Sequence, residues 1–483
     1  MRRSGQVCDR ITVAPRSDFD DTTPMIKCLA LIAACTLATP GVAGEATTAD
    51  TDSDVSAERL RADVEKLVSF GTRHTLSEQD DPHRGIGAAV DWGLDTFRKI
   101  GDRCGGCLTV VAPETTVEGA RIPEPTKLRD AVAIQRGTDR PNEVVIIQGH
   151  IDSRASDVLD WRSDAPGAND DGSGTALVIE TARVLSKRTY PVTIVYALLS
   201  GEEQGLYGGQ LLADYAREQG WNVKAVLNND IVGGSCGSDG YCEPHITRVF
   251  SEGPRADLTD DVRARQRRDG GENDSPSRNL SRFIGGLDDA DLEVREIWRV
   301  DRMGRGGDQI PFLEAGYPAV RFTVGVEDYE HQHQDLRTEG GVTYGDTVDE
   351  MDFAYLARVT RLNARVVDRL ARTPMPPAPT AQAAVRTGTL IQWNEVDGAT
   401  DYRIFRRRTN EAGWPEEPLM EVSALEAGME PQGGDFSIEL AGIRGDDWFF
   451  GVSACTADGL CSPVASAVPA GQYAPLAKEE GDE

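Results

Sequence analysis

From about residue 130 the chain alternates two periods. Apolar runs of strand length (A-V-A-I-Q at 131–135, E-V-V-I-I-Q-G-H at 143–150, P-V-T-I-V-Y-A-L-L at 191–199, V-K-A-V-L-N-N-D at 223–230) are separated by helical patterns. These read G-T-A-L-V-I-E-T-A-R-V-L at 174–185 and G-L-Y-G-G-Q-L-L-A-D-Y-A-R at 205–217. Continuous apolar runs mark strands buried on both faces, and the intervening amphipathic helices cover those faces. The pattern therefore predicts an α/β layered fold with a largely parallel sheet. Two amphipathic helices precede it, at 56–70 and about 86–100; a further strand–helix stretch follows at 294–325, and 353–372 reads as a closing helix. The polar segment 234–290 reads as an exposed insertion.

The pattern changes after the proline-rich linker 373–382, which opens T-P-M-P-P-A-P-T-A. Short alternating strands such as T-L-I-Q-W and D-D-W-F-F-G-V-S-A-C predict an all-β sandwich. The run W-x-x-V-x-G-A-x-x-Y-R-I (393–404) resembles fibronectin type III modules over about 383–470. It carries no evident chemistry, so the module is expected to act as a spacer or to bind another protein or a surface.

The N-terminus reads as a targeting segment. Met25-Ile26-Lys27 is followed by C-L-A-L-I-A-A-C-T-L-A, and Gly41 and Ala43 fit a signal-peptidase site. Residues 1–43 are thus expected to be a signal peptide with its true start at Met25. The apolar run is too short for stable membrane insertion, which predicts a secreted or periplasmic protein. Only ten residues would precede Cys35 if Met25 starts the chain, which weighs against a lipoprotein. The remaining cysteines fall in close pairs, Cys104/Cys107, Cys236/Cys242 and Cys455/Cys461. In an exported chain such pairs suggest small-loop disulfides. A formal net charge of −29 argues against nucleic-acid partners and anionic membranes.

Acidic and histidine residues end the strands. His150-Ile151-Asp152 follows the second run; A-P-G-A-N-D-D-G-S-G carries Asp170 and Asp171; S-G-E-E-Q-G carries Glu202 and Glu203; Asp230 ends L-N-N-D; and D-Y-E-H-Q-H-Q-D brings His331, His333 and Asp335. Any one alone is most simply a solvated turn. In a parallel sheet, however, these strand ends share one edge, where so many carboxylates repel unless a cation sits among them. Mixed histidine and carboxylate ligands suit zinc. His74, His83 and His245 lack such company and read as ordinary.

The order H-x-D … G-A-N-D-D-G-S-G … S-G-E-E-Q-G-L-Y-G … N-x-D … H resembles the co-catalytic zinc aminopeptidases of peptidase family M28, over about residues 57–370. The resemblance implies a three-layer α/β/α sandwich with a mixed sheet across a catalytic domain of 56–372. It also implies two Zn²⁺ per chain and peptide substrates with a free N-terminus. By motif, His150 and Glu203 bind different ions, Asp170 bridges them, Asp230 completes the His150 ion and Glu202 is the general base. Asp152 would hold the His150 ring from behind. For the fifth ligand, His331 keeps the four-residue spacing to Asp335 while His333 sits in Q-H-x-D; the reading favours His333. Tyr329 is a candidate oxyanion helper. G-D-Q-I-P-F (307–312) departs from the family's S-D-H-x-P-F. Three rivals stand beside this reading: a glutaminyl cyclase-like or receptor-like relative, a pure binding protein, and a serine hydrolase using Ser235 in G-G-S-C-G.

Overall fold

Side-chain alternation sets the two faces of the central sheet. The computed structural model describes residues 54–424 and 435–476, and the expected signal peptide lies outside them. Helices α1 (Ala57–Val68) and α2 (Gly85–Arg103) come first, the Ser56 hydroxyl capping α1 by accepting the Arg59 N–H. Next come β1 (Thr109–Val111), β2 (Glu114–Gly119), β3 (Ile122–Arg129), β4 (Ala131–Gln135) and β5 (Arg140–His150). Helix α3 (Gly172–Leu185), β6 (Val192–Leu199), the one-turn α4 (Glu202–Gly205), α5 (Tyr207–Glu218) and β7 (Asn222–Asn229) continue the alternation. Then follow β8 (Ile246–Ser251), α6 (Asp260–Asp269), α7 (Pro276–Gly285), β9 (Glu293–Ile297), α8 (Ile310–Glu314) and β10 (Ala319–Val324). A small hairpin of β11 (Arg337–Glu339) and β12 (Val342–Tyr344) leads to α9 (Phe353–Arg372).

The main sheet has eight strands in the order β1-β4-β6-β5-β7-β10-β8-β9. Its centre, β6-β5-β7-β10, is parallel, with antiparallel pairs at β4/β6 and β10/β8. On β5, Val145 and Ile147 face a core shared with α1, α2, α3 and α9, while Val144 and Ile146 face α5 and α8. The period of two thus feeds two helical layers from one strand. All eight residues of β6 are buried, as its unbroken apolar run requires.

The segment 234–290 is not an exposed insertion. It supplies β8, which pairs with β10 inside the sheet, and α7, with seven of its ten residues buried. Its polar composition misleads because part of its polar content, Arg278 above all, is satisfied internally. Arg278 is 1% exposed and donates to Ser251 Oγ and O, both at 2.9 Å.

Beyond α9 the chain forms β13 (Thr380–Gln382), β14 (Thr389–Asn394), β15 (Asp401–Arg408), β16 (Met420–Ser423), β17 (Asp435–Leu440), β18 (Trp448–Cys455) and β19 (Ala465–Ser466). They make two antiparallel sheets, β13-β14-β17 and β16-β15-β18-β19, around Trp393, Tyr402, Phe436 and Phe450. The proline-rich stretch is packed. Pro374, Pro376, Pro377 and Pro379 are buried, its last residues are β13, and Lys224 Nζ donates to Thr373 O at 2.7 Å. The C-terminal sheets dock on α7: Asn279 Nδ2 donates to Ser466 Oγ (2.9 Å), Trp414 Nε1 to Asn279 Oδ1 (3.0 Å), and Arg407 pairs with Asp274. The three close cysteine pairs are all disulfide-bonded.

Arg407 and Asp274 are 3% and 1% exposed, so removing one partner strands a buried charge. Arg407→Met should therefore cost about 3 kcal/mol of stability in urea unfolding, whereas the exposed-pair change Arg403→Met should cost under about 1 kcal/mol.

Candidate metal centre

Four elements deliver the site to the carboxyl edge of the sheet. β5 ends on His150, which is 1% exposed. Behind it, the Asp152 carbonyl oxygen lies 3.2 Å and a carboxylate oxygen 3.5 Å from Nδ1, leaving Nε2 facing the site. The Asp152 carboxylate also accepts the backbone N–H groups of Glu202 (3.3 Å) and Glu203 (3.2 Å), tying the end of β5 to the start of α4. Glu202 and Glu203 thus open a helical turn, reached through Gly201 at φ 79°, rather than lying in an extended turn. In a helix neighbours diverge by about 100°, so they still point to different places.

Asp171 fastens three elements. Its carboxylate caps α3 through the Gly174 N–H (2.8 Å) and accepts the N–H groups of His150 (3.0 Å) and Ile231 (3.2 Å). Gly174 has to be glycine, because a Cβ there would lie 2.1 Å from Asn229 O. Asp346 accepts the N–H groups of Asn169 (2.8 Å) and Asp170 (2.7 Å), fixing the loop that aims Asp170.

Asp170 lies between two histidines. One carboxylate oxygen is 3.1 Å from His150 Nε2 and the other 2.8 Å from His333 Nε2. Asp230 Oδ1 lies 3.9 Å from His150 Nε2, and Glu203 Oε1 lies 3.0 Å from His333 Nε2. The result is two His/carboxylate groups, His150–Asp170–Asp230 and Asp170–Glu203–His333, sharing Asp170. His331 belongs elsewhere: it faces Gly345 O (2.8 Å) and Glu350 (3.2 Å). The difference lies in the backbone, since His333 adopts φ 57° and swings its ring inward.

The charges of this cluster are unbalanced. Burial alone would raise Asp170, yet the His333 and His150 rings hold it well below the usual carboxylate range. Burial works against protonation of His333, but Glu203 and Asp170 outweigh it and push the ring up to about 10. His150 is likewise raised, against its burial, by Glu202, Asp152, Asp170 and Asp171. Burial raises Glu202, with Asp230, Glu203 and Asp308 adding to it and His150 opposing. Such a cluster favours positive charge at its centre. His150 Nε2 and Glu203 Oε1 are buried, with Asp170 and His333 close by but not in hydrogen-bonding geometry. Buried polar atoms need partners, and a nitrogen and carboxylate donor set suits zinc, so these residues fit a metal ion.

Several contributors carry no sequence signal. Arg154 donates from Nε to Glu203 Oε2 (2.9 Å) and lies 2.6 Å from His333 Nδ1 through Nη2. Arg321, fully buried, pairs with Asp230 Oδ1 at 2.8 Å. Gln332 Nε2 donates to Asp170 at 3.0 Å. Each arginine steadies a carboxylate that also serves the cluster. His74 is no bystander either: its Nε2 is 3.1 Å from Gln204 Nε2, in the turn that carries the glutamates. His83 and His245 have no hydrogen bond to the cluster among the described residues.

The remaining candidates lie apart from the cluster. Asp335 accepts the Ser156 N–H at 3.1 Å, closing the loop against the β5 end. Tyr329 is 64% exposed, and no hydrogen bond or ion pair links it to the cluster. Gln309 in G-D-Q-I-P-F is buried and donates to Asp301 at 2.6 Å. The Ser235 hydroxyl donates to Asp352 (2.9 Å), has no histidine partner, and precedes a disulfide-bonded cysteine, so no nucleophile elbow exists there.

A mixed α/β sheet presenting paired His/carboxylate groups at its carboxyl edge defines a metallohydrolase. Residues 131–367 match the model of peptidase family M28. A probable zinc metalloprotease of Leptosphaeria maculans is 40% identical over 424 residues, covering 86% of this chain and 95% of that protein. Another from Pyricularia oryzae is 41% identical over 411 residues, covering 81% of each. The fold resembles the crystal structure of LapB from Legionella pneumophila at a TM-score of 0.50 and 18% identity, over 68% of this chain and 75% of that one. The chain belongs to peptidase family M28 and is a zinc-dependent peptidase.

The charge imbalance dictates how the metal-free protein responds to pH. Burial raises Asp308 and Asp346 to about 7, and Glu203 and Asp170 raise His333 to about 10 despite its burial. Groups raised on folding stabilise below their unfolded pKa, and that stability is lost as pH climbs through the folded value. Chelated protein should therefore lose melting temperature steadily from about pH 5 to about pH 9. The zinc-loaded form should lose much less over the same range, as scanning calorimetry would show.

Proposed function

We propose that the protein is an exported dizinc aminopeptidase that hydrolyses the N-terminal peptide bond of peptides. The observation that carries this reading is Asp170, which offers one carboxylate oxygen to each of two histidine groups. His150, Asp170 and Asp230 would hold one ion, and Asp170, Glu203 and His333 the other. When bound, the ions supply Lewis acidity to the scissile carbonyl and make the attacking water more acidic.

The chain's own groups do the rest. Glu202 is the general base: it has no place in either ligand group, and burial with its acidic neighbours raises its proton affinity. It takes a proton from the attacking water and returns it to the departing amine. Asp152 keeps the His150 ring oriented, and Arg154 and Arg321 fix Glu203 and Asp230. A substrate's free α-ammonium is drawn to this acidic edge, which favours cleavage at N-termini.

Export is supported by the N-terminal targeting pattern and by three disulfides, which persist in oxidising compartments. Residues 56–372 form the catalytic domain in this reading, followed by a fibronectin type III-like module over 383–470. The presence of Glu202 beside a full set of candidate ligands favours catalysis over a silent or receptor-like role.

Glu202→Gln should keep two zinc ions per chain by elemental analysis yet lose about 10²–10⁴-fold in kcat on aminoacyl-nitroanilides. Glu203→Gln should lose bound zinc. Activity on N-blocked but not free substrates would contradict the aminopeptidase reading.

A further inference from the structure

A cleft of about 1250 Å³ opens between α6 and the C-terminal sheets, on elements that contribute nothing to the metal centre. The chain has 80 acidic against 51 basic residues, yet this cleft has the opposite sign. Arg265, Arg267, Arg268 and Arg386 line it, against only Asp269 and Asp446. The cause lies in the helix pattern. Helix α6 buries Val262 and Gln266, which leaves Arg265 and Arg268, one turn apart, exposed on a shared face. No hydrogen bond or ion pair holds Arg265, Arg267 or Arg268 among the described residues, and Arg386 has only an exposed pair with Glu439. An exposed pair of that kind is weak and easily exchanged.

The floor and wall suit a polypeptide. Trp448 and Phe449 line the cleft, and Arg406 and Arg408 stack on the Trp448 ring at 4.4 and 4.1 Å. One wall is the stretch 378–384, which includes β13. Among the described residues, β13 is the edge strand of its sheet, bonded to β14 on one side only. An open strand edge accepts an extended chain by main-chain pairing. β13 is only three residues long and follows a proline, so it offers few such bonds. Charge must supply most of the attraction, which selects an acidic segment.

We propose that this cleft is a docking site for extended acidic peptide segments, separate from the metal centre. In a peptidase it would recruit polypeptides by a stretch other than the one being cleaved. The proposal does not rest on the zinc count or on the aminopeptidase reading.

The test is anisotropy of a fluorescent, N-acetylated and C-amidated oligoglutamate peptide with the full-length zinc-loaded protein. Blocked ends keep it from acting as an aminopeptidase substrate. Binding should be saturable and weaken about tenfold when ionic strength rises from about 0.05 M to about 0.3 M. The double variant Arg265→Glu/Arg268→Glu should weaken it about tenfold or more, and the corresponding alanine pair less so. Turnover of a short aminoacyl-nitroanilide and the melting temperature should be unchanged in both. Equal binding to wild type and variants would overturn the proposal. So would inhibition of nitroanilide turnover by the peptide, which would place it at the metal centre. Stronger binding of a sulfated polysaccharide at equal charge would assign the cleft to glycans and equally contradict it.

Discussion

The structure depends on how a cluster of buried carboxylates is kept from repelling itself apart. Asp152, Asp170, Asp171, Glu203 and Asp230 are all at most 5% exposed and gather at one end of the parallel strands. Two of them are turned into structural acceptors. Asp171 takes three backbone N–H groups and Asp152 takes two, so their charge is spent on joining β5, α3, α4 and the end of β7. Glu203 and Asp230 each receive an arginine. Asp170 meets only histidine rings, a glutamine and a backbone clamp from Asp346, and it is here that the need for cations is greatest. Buried charge of this kind is stable only when paired, so architecture and metal demand are one problem.

Much of this was legible in the sequence because it is local. Each strand end announces itself by an apolar run broken by His, Asp or Glu, and the topology of a parallel sheet brings those ends together without further information. The choice between His331 and His333 was not local. The four-residue spacing to Asp335 pointed to His331 and the Q-H-x-D context to His333, the residue favoured. In the structure His333 has a left-handed backbone and its ring joins the cluster, while Asp335 bonds to Ser156. Arg154 and Arg321 were illegible for a different reason. An arginine in a loop or strand near a site looks like any surface arginine until its partner's burial is known. The closing helix 353–372 was readable from periodicity alone.

The misreading of 234–290 has a physical cause. Its composition looks solvated, yet β8 and α7 within it are packed. Arg278 is buried because it bonds to Ser251 of β8 and to Asn273, and Asn279 and Asp274 because they meet the C-terminal sheets. Polar sequence implies exposure only when its groups have no internal partners. The C-terminal module is therefore a buttress against α7, and the space left between it and α6 is where unpaired arginines accumulate in an otherwise acidic protein.

The most direct measurement of the central claim is anomalous diffraction at the zinc edge from crystals of the zinc-loaded protein. Two peaks about 3.5–4 Å apart should flank Asp170, one beside His150 and Asp230 and the other beside Glu203 and His333. A single peak at full occupancy, or a second peak held by His331 instead of His333, would contradict it.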